Sequence, residues 1–345
     1  MLGISVYMSQ YDSSYIEQAR VAGAEYVFTS MQMPEEDYDK LRPVIKEFFT
    51  KCHELKLKVV SDVSPVTFEK LGLANNDFQA LQDFGFSAVR LDYGIDDLNL
   101  IKQLQKQFTV FLNASIVSPE YLEKLLQSGV DRKKLILSYN YYPHVNTGLS
   151  WASFIKRNRA FVKMGVRTQA FVPGDWEYRF PMYEGLPTVE RHRGMNSFVA
   201  AVELMHEAGV TDVFISDTRA RISGLERIVR YQREGIISLK TDFLPEFSEY
   251  QNLTLAVRKD QPERIVRLLA PRKKIEPRHQ VKISRGAVIL QNELAKRYSG
   301  EVYLAKVDLP SDPGSNIIGY IMPEYMPLLE QIDEKNKIIL NRKLQ

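Results

Sequence analysis

Eight short apolar segments, each followed by a segment with helical periodicity, constrain the fold of this chain more than any other feature. The segments are apolar on both faces, which is typical of parallel strands that are covered on both sides. They comprise Gly3–Ser9, Glu25–Met31, Leu57–Ser64, Ala88–Gly94, Thr109–Ser115, Lys134–Tyr142, Arg167–Gly174 and Asp212–Thr218. Eight such β/α units in roughly 235 residues predict an α/β fold, a (β/α)8 TIM barrel over residues 1–235.

Capping residues predict where individual helices of the barrel begin and end. Ser118 is expected to cap a helix that starts at Pro119 and ends before Gly129. In the first helical segment, Ser13 or Ser14 is expected to be the cap and Gly23 to mark the end. The structural alternative is a doubly wound sheet, which is less favoured because neither G-x-G-x-x-G nor G-x-x-x-x-G-K-[ST] occurs.

The pattern changes at about Lys240 to short segments with alternating and β-branched residues. The sequence therefore predicts a separate, smaller β-rich domain over residues 240–345, and a length of 345 residues also favours two domains. Its expected strands are Leu253–Lys259, His279–Gly286, Ala287–Asn292, Gly300–Pro310 and Asn316–Pro323.

Composition excludes several classes of protein. The net charge of +3 is too small to indicate nucleic acid or a membrane surface as a partner. The single cysteine, Cys52, excludes an internal disulfide and favours a reducing compartment, and its neighbourhood predicts a structural role. We see no signal peptide and no transmembrane run, so a cytoplasmic location is expected. No H-E-x-x-H or paired-cysteine motif occurs, and neither a metal nor a cofactor is expected.

The carboxyl ends of the predicted barrel strands carry amides, carboxylates and aromatic rings, at the end where TIM-barrel active sites lie. Such sets bind sugars, because polar groups take the hydroxyls and rings take the apolar sugar face. The alternative is that these side chains only satisfy loop backbone. The candidate substrate-binding residues are Tyr7, Arg90, Asn113, Asn140, Tyr142 and Asp175.

The loop after the seventh strand, residues 171–194, is the longest, and long loops in compact domains tend to be functional. It ends in the basic trio "RHR" just before an apparent helix. Since helix N-termini and this part of the barrel often bind phosphate, His192 and Arg193 are predicted phosphate ligands, with Arg90 as a further cation. The alternative is a solvated charge cluster that caps the helix.

Carboxylates on separate strand ends offer pairs for general acid–base chemistry. Asp62 and Asp92 follow the neighbouring third and fourth strands and form the leading catalytic pair. Glu184 and Asp217 are the reserve candidates, and for each carboxylate the alternative is a loop-bracing role.

Several motifs together resemble the bacterial 6-phospho-N-acetylmuramidase family over the whole chain. They are "GISVY", "SDVSP", "RLDYG", "NAS", "YNYYP" with "TGLS", "FVPGD", "EGLPTVERHR" and "ISD", followed by "RYSGEVYLAKVDLP" and "NIIGYI". The chain departs from the family pattern at Ala287, where an acidic residue is expected after "SRG".

This resemblance implies a TIM barrel followed by a cyclophilin-like β domain. It also implies a glycoside hydrolase of peptidoglycan recycling, whose substrate is N-acetylmuramic acid 6-phosphate linked to N-acetylglucosamine. Two other functions stay open: another sugar-phosphate barrel enzyme, such as an aldolase or epimerase, or a non-catalytic carbohydrate-binding protein. A Schiff-base aldolase is disfavoured, because Lys58 and Lys134 lie near the starts of their strands.

Overall fold

The first part of the chain forms a closed barrel of eight parallel strands in chain order, as the sequence predicts. The computed structural model describes residues 1–91 and 98–342, and the chain divides into two compact units, Met1–Val229 and Arg230–Gln345. The barrel strands are β1 (Leu2–Ser5), β2 (Tyr26–Ser30), β3 (Lys58–Val63), β4 (Ala88–Leu91), β5 (Thr109–Asn113), β6 (Leu135–Ser138), β7 (Arg167–Val172) and β8 (Asp212–Ile215). Pairing of β1 with both β2 and β8 closes the barrel and excludes the doubly wound alternative.

Helices follow the strands in the order expected for a TIM barrel. Ser118 caps α6 and Pro119 opens it, as predicted. The cap of α1 is Asp12 rather than Ser13 or Ser14, because the Asp12 carboxylate accepts hydrogen bonds from the backbone of Ser14 and Tyr15. The helices are α1 (Ser13–Val21), α2 (Tyr38–Glu54), α3 (Pro65–Leu71), α4 (Phe78–Phe84), α5 (Leu98–Leu104), α6 (Pro119–Gln127), α7 (Trp151–Lys163), α8 (Ser197–Ala208) and α9 (Ile222–Glu234).

Side chains that point into the barrel fill it with a largely aromatic core. The buried cluster consists of Tyr26, Phe28, Val60, Ala88, Phe111, Ile136, Phe171 and Phe214. The Phe214 ring lies directly on Gly3 of β1, where a built Cβ would come within 2.6 Å of ring carbons. The absence of a side chain at residue 3 therefore lets this ring fill the space next to β1.

The second unit is a seven-stranded sheet in the order β10-β15-β9-β14-β12-β13-β11. The expected strand at His279–Gly286 is wrong, since only Ile283 of that segment makes a bridge, to Leu309. Ala287, the departure from the family pattern, is fully buried in this unit. The strands are β9 (Ile236–Phe243), β10 (Thr254–Ala256), β11 (Ile265–Leu268), β12 (Ala287–Gln291), β13 (Val302–Ala305), β14 (Ser315–Ile321) and β15 (Lys337–Arg342).

Cys52 lies in α2 and is 1% exposed. Burial raises the pKa of its thiol to about 12, so the unreactive protonated form predominates at neutral pH. In the described part of the chain, no helix has the length and apolar composition needed to cross a membrane.

We predict that Gly3→Ala destabilises the barrel by about 1–3 kcal/mol, because the added methyl group overpacks against Phe214. Denaturant unfolding measures the loss. The matched control is Gly224→Ala in α9, where a built Cβ meets its nearest atom at 3.9 Å. That variant should be neutral or more stable, and equal losses at both positions would contradict the packing argument.

Candidate active site

The alternation of side chains along the strands places polar groups directly above the aromatic core. Val60 and Ala88 belong to the core cluster. Asp62 and Arg90 follow them by two positions on β3 and β4, so their side chains point into the barrel as well. Both lie toward the carboxyl ends of their strands, which is the end where TIM-barrel enzymes bind substrate.

Arg90 connects the polar side chains of this mouth. Its Nη1 donates a hydrogen bond of 2.6 Å to Asp62 Oδ1, and its Nε donates one of 3.1 Å to Ser138 Oγ. Its Nη2 donates to Asn140 Oδ1, and Ser138 Oγ in turn donates to Gln169 Oε1. Arg90 is 5% exposed and Asp62 is 9% exposed, so this ion pair is largely shielded from water. The network fixes the orientation of the Asp62 carboxylate.

A small cavity of about 150 Å³ opens onto this network. It is lined by Asp62, Arg90, Asn140, Tyr141 and Phe171. The Tyr141 ring packs edge-on against Phe171 with ring centres 5.1 Å apart. Since sites for drug-sized ligands measure about 300–1,000 Å³, the cavity accommodates one group of a larger ligand rather than a whole disaccharide.

Two phenols stand beside the cavity. Tyr7, at the end of β1, is buried and donates a hydrogen bond of 2.6 Å to the Ser216 carbonyl oxygen. Burial raises the pKa of Tyr7 and of Tyr141, so both hydroxyls stay protonated at neutral pH. Neutral phenols are hydrogen-bond donors and apolar surfaces at once, which suits sugar binding. The Tyr7 side chain is therefore part of the mouth, and its binding of substrate stays a prediction.

Asp217 braces the long loop after β7. Its two carboxylate oxygens accept backbone N–H bonds from Gly174 at 2.8 Å, Arg179 at 3.0 Å and Leu186 at 3.2 Å. Burial raises the pKa of Asp217 to about 6, although these bonds oppose the shift. The side chain is 1% exposed, and both of its carboxylate oxygens already accept backbone hydrogen bonds. These contacts favour the loop-bracing alternative over a catalytic role.

Arg193 and Glu190 fasten the same loop. Arg193 Nε and Nη2 donate to the two Glu190 oxygens at 2.7 and 2.9 Å. The remaining donors reach the carbonyl oxygens of Gly185 at 2.6 Å, Tyr142 at 3.0 Å and His144 at 3.1 Å. Because every nitrogen of the guanidinium already donates within the protein, the contacts do not support the expectation that Arg193 binds phosphate.

His192 lies under α8 rather than at the mouth. It is fully buried, and its Nε2 lies 3.0 Å from Glu203 Oε2. Burial lowers the pKa of His192, so the neutral imidazole predominates at neutral pH. Arg191 donates to the same Glu203 oxygen and stacks 3.6 Å from the centre of the Trp151 ring. The trio "RHR" is thus a packed and paired cluster.

The remaining predicted residues either make hydrogen bonds that hold loop backbone or lie exposed to solvent. Asp175 accepts from the backbone of Arg221 at 2.8 Å, and Asn113 accepts from the backbone of Ser115 at 3.0 Å. Glu184 is exposed on the loop. The backbone of Tyr142 is held by Pro187 and Arg193.

Asp92, a member of the leading catalytic pair, lies outside the described residues and stays a prediction. The two lysines considered for Schiff-base chemistry are placed as expected at the amino ends of their strands. Lys58 opens β3, and Lys134 donates to the Gln105 carbonyl oxygen at 2.7 Å just before β6.

Comparison with known proteins identifies the family. A model described as the N-terminal part of 6-phospho-N-acetylmuramidase matches residues 2–230, and a model of the C-terminal part matches residues 237–341. The chain belongs to the 6-phospho-N-acetylmuramidase family. The resemblance seen in the sequence is thus confirmed.

Two solved structures resemble this chain along nearly its whole length. A conserved protein of Enterococcus faecalis with an unknown function is 28% identical, with a TM-score of 0.85, covering 99% of this chain and 96% of its own. An uncharacterized protein of B. cereus is 25% identical, with a TM-score of 0.79, covering 99% of both chains. No curated protein matches this member of the 6-phospho-N-acetylmuramidase family.

Sequence reasoning missed several side chains of this family member's barrel mouth. Ser138 and Gln169 are buried partners of the Arg90 network, and alternation along β6 and β7 predicts that they point inward. Tyr141 lies in the predicted sixth strand segment, Lys134–Tyr142, but is not among the candidate substrate-binding residues. Arg179, 8% exposed within the long loop, has no positional signal in the sequence.

The Glu190–Arg193 contact predicts a pH dependence of stability. Hydrogen bonding to Arg193 lowers the pKa of Glu190 from 4.5 to about 2. A carboxyl group with a lowered pKa in the folded state stabilises fully above its unfolded pKa, and this contribution is lost as the pH falls toward about 2. Glu190→Gln should therefore lower the Tm at pH 7.

The difference in Tm between wild type and Glu190→Gln should narrow as the pH falls below about 4.5. Thermal unfolding from pH 7 down to the lowest pH at which both proteins fold measures it. The control Glu123→Gln, on the exposed side of α6, should leave the Tm at pH 7 unchanged. If the Tm difference between wild type and Glu190→Gln widened as the pH fell, the stabilising role of the ionised Glu190 carboxylate would be refuted.

Proposed function

We propose that this chain hydrolyses the glycosidic bond of N-acetylmuramic acid 6-phosphate linked to N-acetylglucosamine. The observation that carries the proposal is the Asp62 carboxylate, which lines the cavity at the barrel mouth and is held at 2.6 Å by Arg90. Membership of the 6-phospho-N-acetylmuramidase family supports the substrate class and the reaction. A cytoplasmic location and a part in peptidoglycan recycling stay predictions of the same proposal.

Asp62 is the carboxylate that we assign to the reacting sugar. Glycosidic cleavage passes through a transition state with positive charge on the sugar ring, and carboxylates near the bond stabilise it or attack it. Asp62 forms an ion pair with Arg90. Arg90 also donates to Asn140, and these contacts hold the carboxylate in one orientation before substrate arrives. Preorganised charge of this kind is a large contribution to catalysis.

The second carboxyl group in this proposal is Asp92. It follows β4 directly in sequence, and β4 pairs with β3. Its assignment rests on that adjacency alone, because it lies outside the described residues. A mechanism in which the 2-acetamido group of the sugar attacks its own anomeric carbon needs only one acid and an orienting carboxylate, and Asp62 suits the orienting role.

The reaction itself is tested by a product assay with the purified protein. The phosphorylated disaccharide should release N-acetylmuramic acid 6-phosphate and N-acetylglucosamine, and the unphosphorylated disaccharide should react much more slowly. Binding without release of either sugar would favour the carbohydrate-binding alternative. Cleavage of both substrates at the same rate would refute the phosphate specificity.

We predict that Asp62→Asn lowers kcat at least about 100-fold while KM stays near the wild-type value. A loss of about 100-fold in kcat is the lower range for removal of a carboxyl group that acts in acid–base catalysis. Asn keeps the size of the side chain and one acceptor for Arg90. Because one partner of a buried ion pair is neutralised, Tm must be measured alongside to show that the variant folds.

The matched control for this variant is Asp83→Asn, an exposed position in α4 that should keep wild-type kcat. Asp92→Asn, assayed in parallel, should match the kcat loss of Asp62→Asn if the two carboxyl groups act together. Wild-type turnover in a folded Asp62→Asn protein would reduce Asp62 to a partner of Arg90 and refute the assignment.

A further inference from the structure

Arg179 is a buried cation at the barrel mouth. It lies in the loop after β7, where its backbone N–H is anchored by Asp217 at 3.0 Å. Its guanidinium carbon stands 4.8 Å from the centre of the Tyr7 ring. Tyr7 in turn interacts with Tyr141, which lines the cavity beside Asp62. The loop therefore delivers a permanent positive charge to the edge of the candidate active site.

This arginine has far fewer hydrogen bonds than its burial requires. Within the described part of the chain, only its Nη2 has polar contacts, at 3.7 Å from Met33 Sδ and 3.9 Å from Glu35 Oε2. Its buried Nε has no partner, although the side chain is only 8% exposed. Arginine carries five N–H donors and cannot lose its charge in a protein, so this arrangement leaves donors unsatisfied.

Two other arginines near the mouth, Arg90 and Arg193, donate hydrogen bonds from every guanidinium nitrogen. Arg90 donates from all three nitrogens to side chains of the barrel. Arg193 donates from all three nitrogens to Glu190 and to loop carbonyl oxygens. A ligand can reach those two only by breaking existing bonds. Arg179 differs because, among the described residues, its guanidinium makes no hydrogen bond to an oxygen atom.

We propose that Arg179 forms the subsite for an anionic group of the substrate. The inference rests on the proposed function, because N-acetylmuramic acid 6-phosphate carries two such groups, the 6-phosphate and the lactyl carboxylate. Both present paired oxygens that match the planar guanidinium fork. Glu35, which is 36% exposed at its side chain, is a weak counter-ion that the substrate anion replaces.

Direct binding tests this subsite without requiring turnover. Calorimetry compares N-acetylmuramic acid 6-phosphate with N-acetylmuramic acid, which lacks the phosphate, and with N-acetylglucosamine 6-phosphate, which lacks the lactyl group. Arg179→Gln should weaken the first ligand about 10- to 100-fold, the effect of one or two lost charge-assisted hydrogen bonds. For the ligand that lacks the group bound by Arg179, the same variant should have little effect. That difference identifies the anion.

Two further variants separate ligand binding from a structural role. Glu35→Gln removes the competing carboxylate and should tighten binding about two- to fivefold, within the range of an exposed ion pair. Arg179→Lys keeps the charge but loses the fork, so its affinity should fall between those of wild type and Arg179→Gln. Arg132→Gln, an exposed arginine outside the mouth, is the matched control with unchanged affinity. Tm values show that each variant folds.

The outcomes distinguish this inference from the proposed function. If folded Arg179→Gln binds all three ligands as well as wild type does, or loses the same factor for all three, the subsite is refuted while the glycosidase proposal stands. Weaker binding by Glu35→Gln would also refute it. If the wild-type protein binds none of the ligands and cleaves no phosphorylated disaccharide, both proposals fail.

Discussion

The buried ion pair between Arg90 and Asp62 is the interaction on which the arrangement of the barrel mouth depends. Removing two charges from water costs several kcal/mol per ion, and only good geometry with further hydrogen bonds offsets it. Here the pair has a separation of 2.6 Å, and Ser138 and Asn140 accept the other donors of the guanidinium. Loss of one partner would leave an unpaired buried charge. The strands that carry these residues are thereby held in one register.

The long loop after β7 is likewise held in place by charged side chains that hydrogen-bond to its backbone. Asp217 accepts three backbone N–H bonds of this loop, and Glu190 accepts two N–H bonds of the β6–α7 connection, from Asn146 and Gly148. Arg193 joins the two segments through Glu190 and through carbonyl oxygens on both sides. Among the residues that sequence alone suggested for catalysis or phosphate binding, Asp217 and Arg193 thus hold backbone groups. Rigid loops of this kind position the side chain of Arg179.

The barrel was predictable because its strands are buried on both faces and therefore read as short, predominantly apolar runs. The β-rich character of the second unit was predicted as well, but its strand order was not, since β9 pairs in parallel with β15 about a hundred residues later and no local pattern encodes that pairing. The candidate site was predictable only where the alternation of side chains along a strand determines which of them point into the barrel, as for Asp62 and Arg90. Within "RHR" adjacent side chains diverge, and only tertiary contacts show that His192 packs under α8.

The difference between saturated and unsaturated arginines gives this mouth a physical basis for selectivity. If Arg179 is the anion subsite, a neutral sugar bound at the mouth would leave its guanidinium without an acceptor, which costs free energy. A sugar that carries phosphate or carboxylate supplies those acceptors at the same moment that it excludes water. Sites built to pair with a polar group reject analogues that lack it more strongly than apolar pockets reject a missing methylene. Selectivity for an anionic amino sugar would then arise chiefly from the cost of leaving this arginine unpaired.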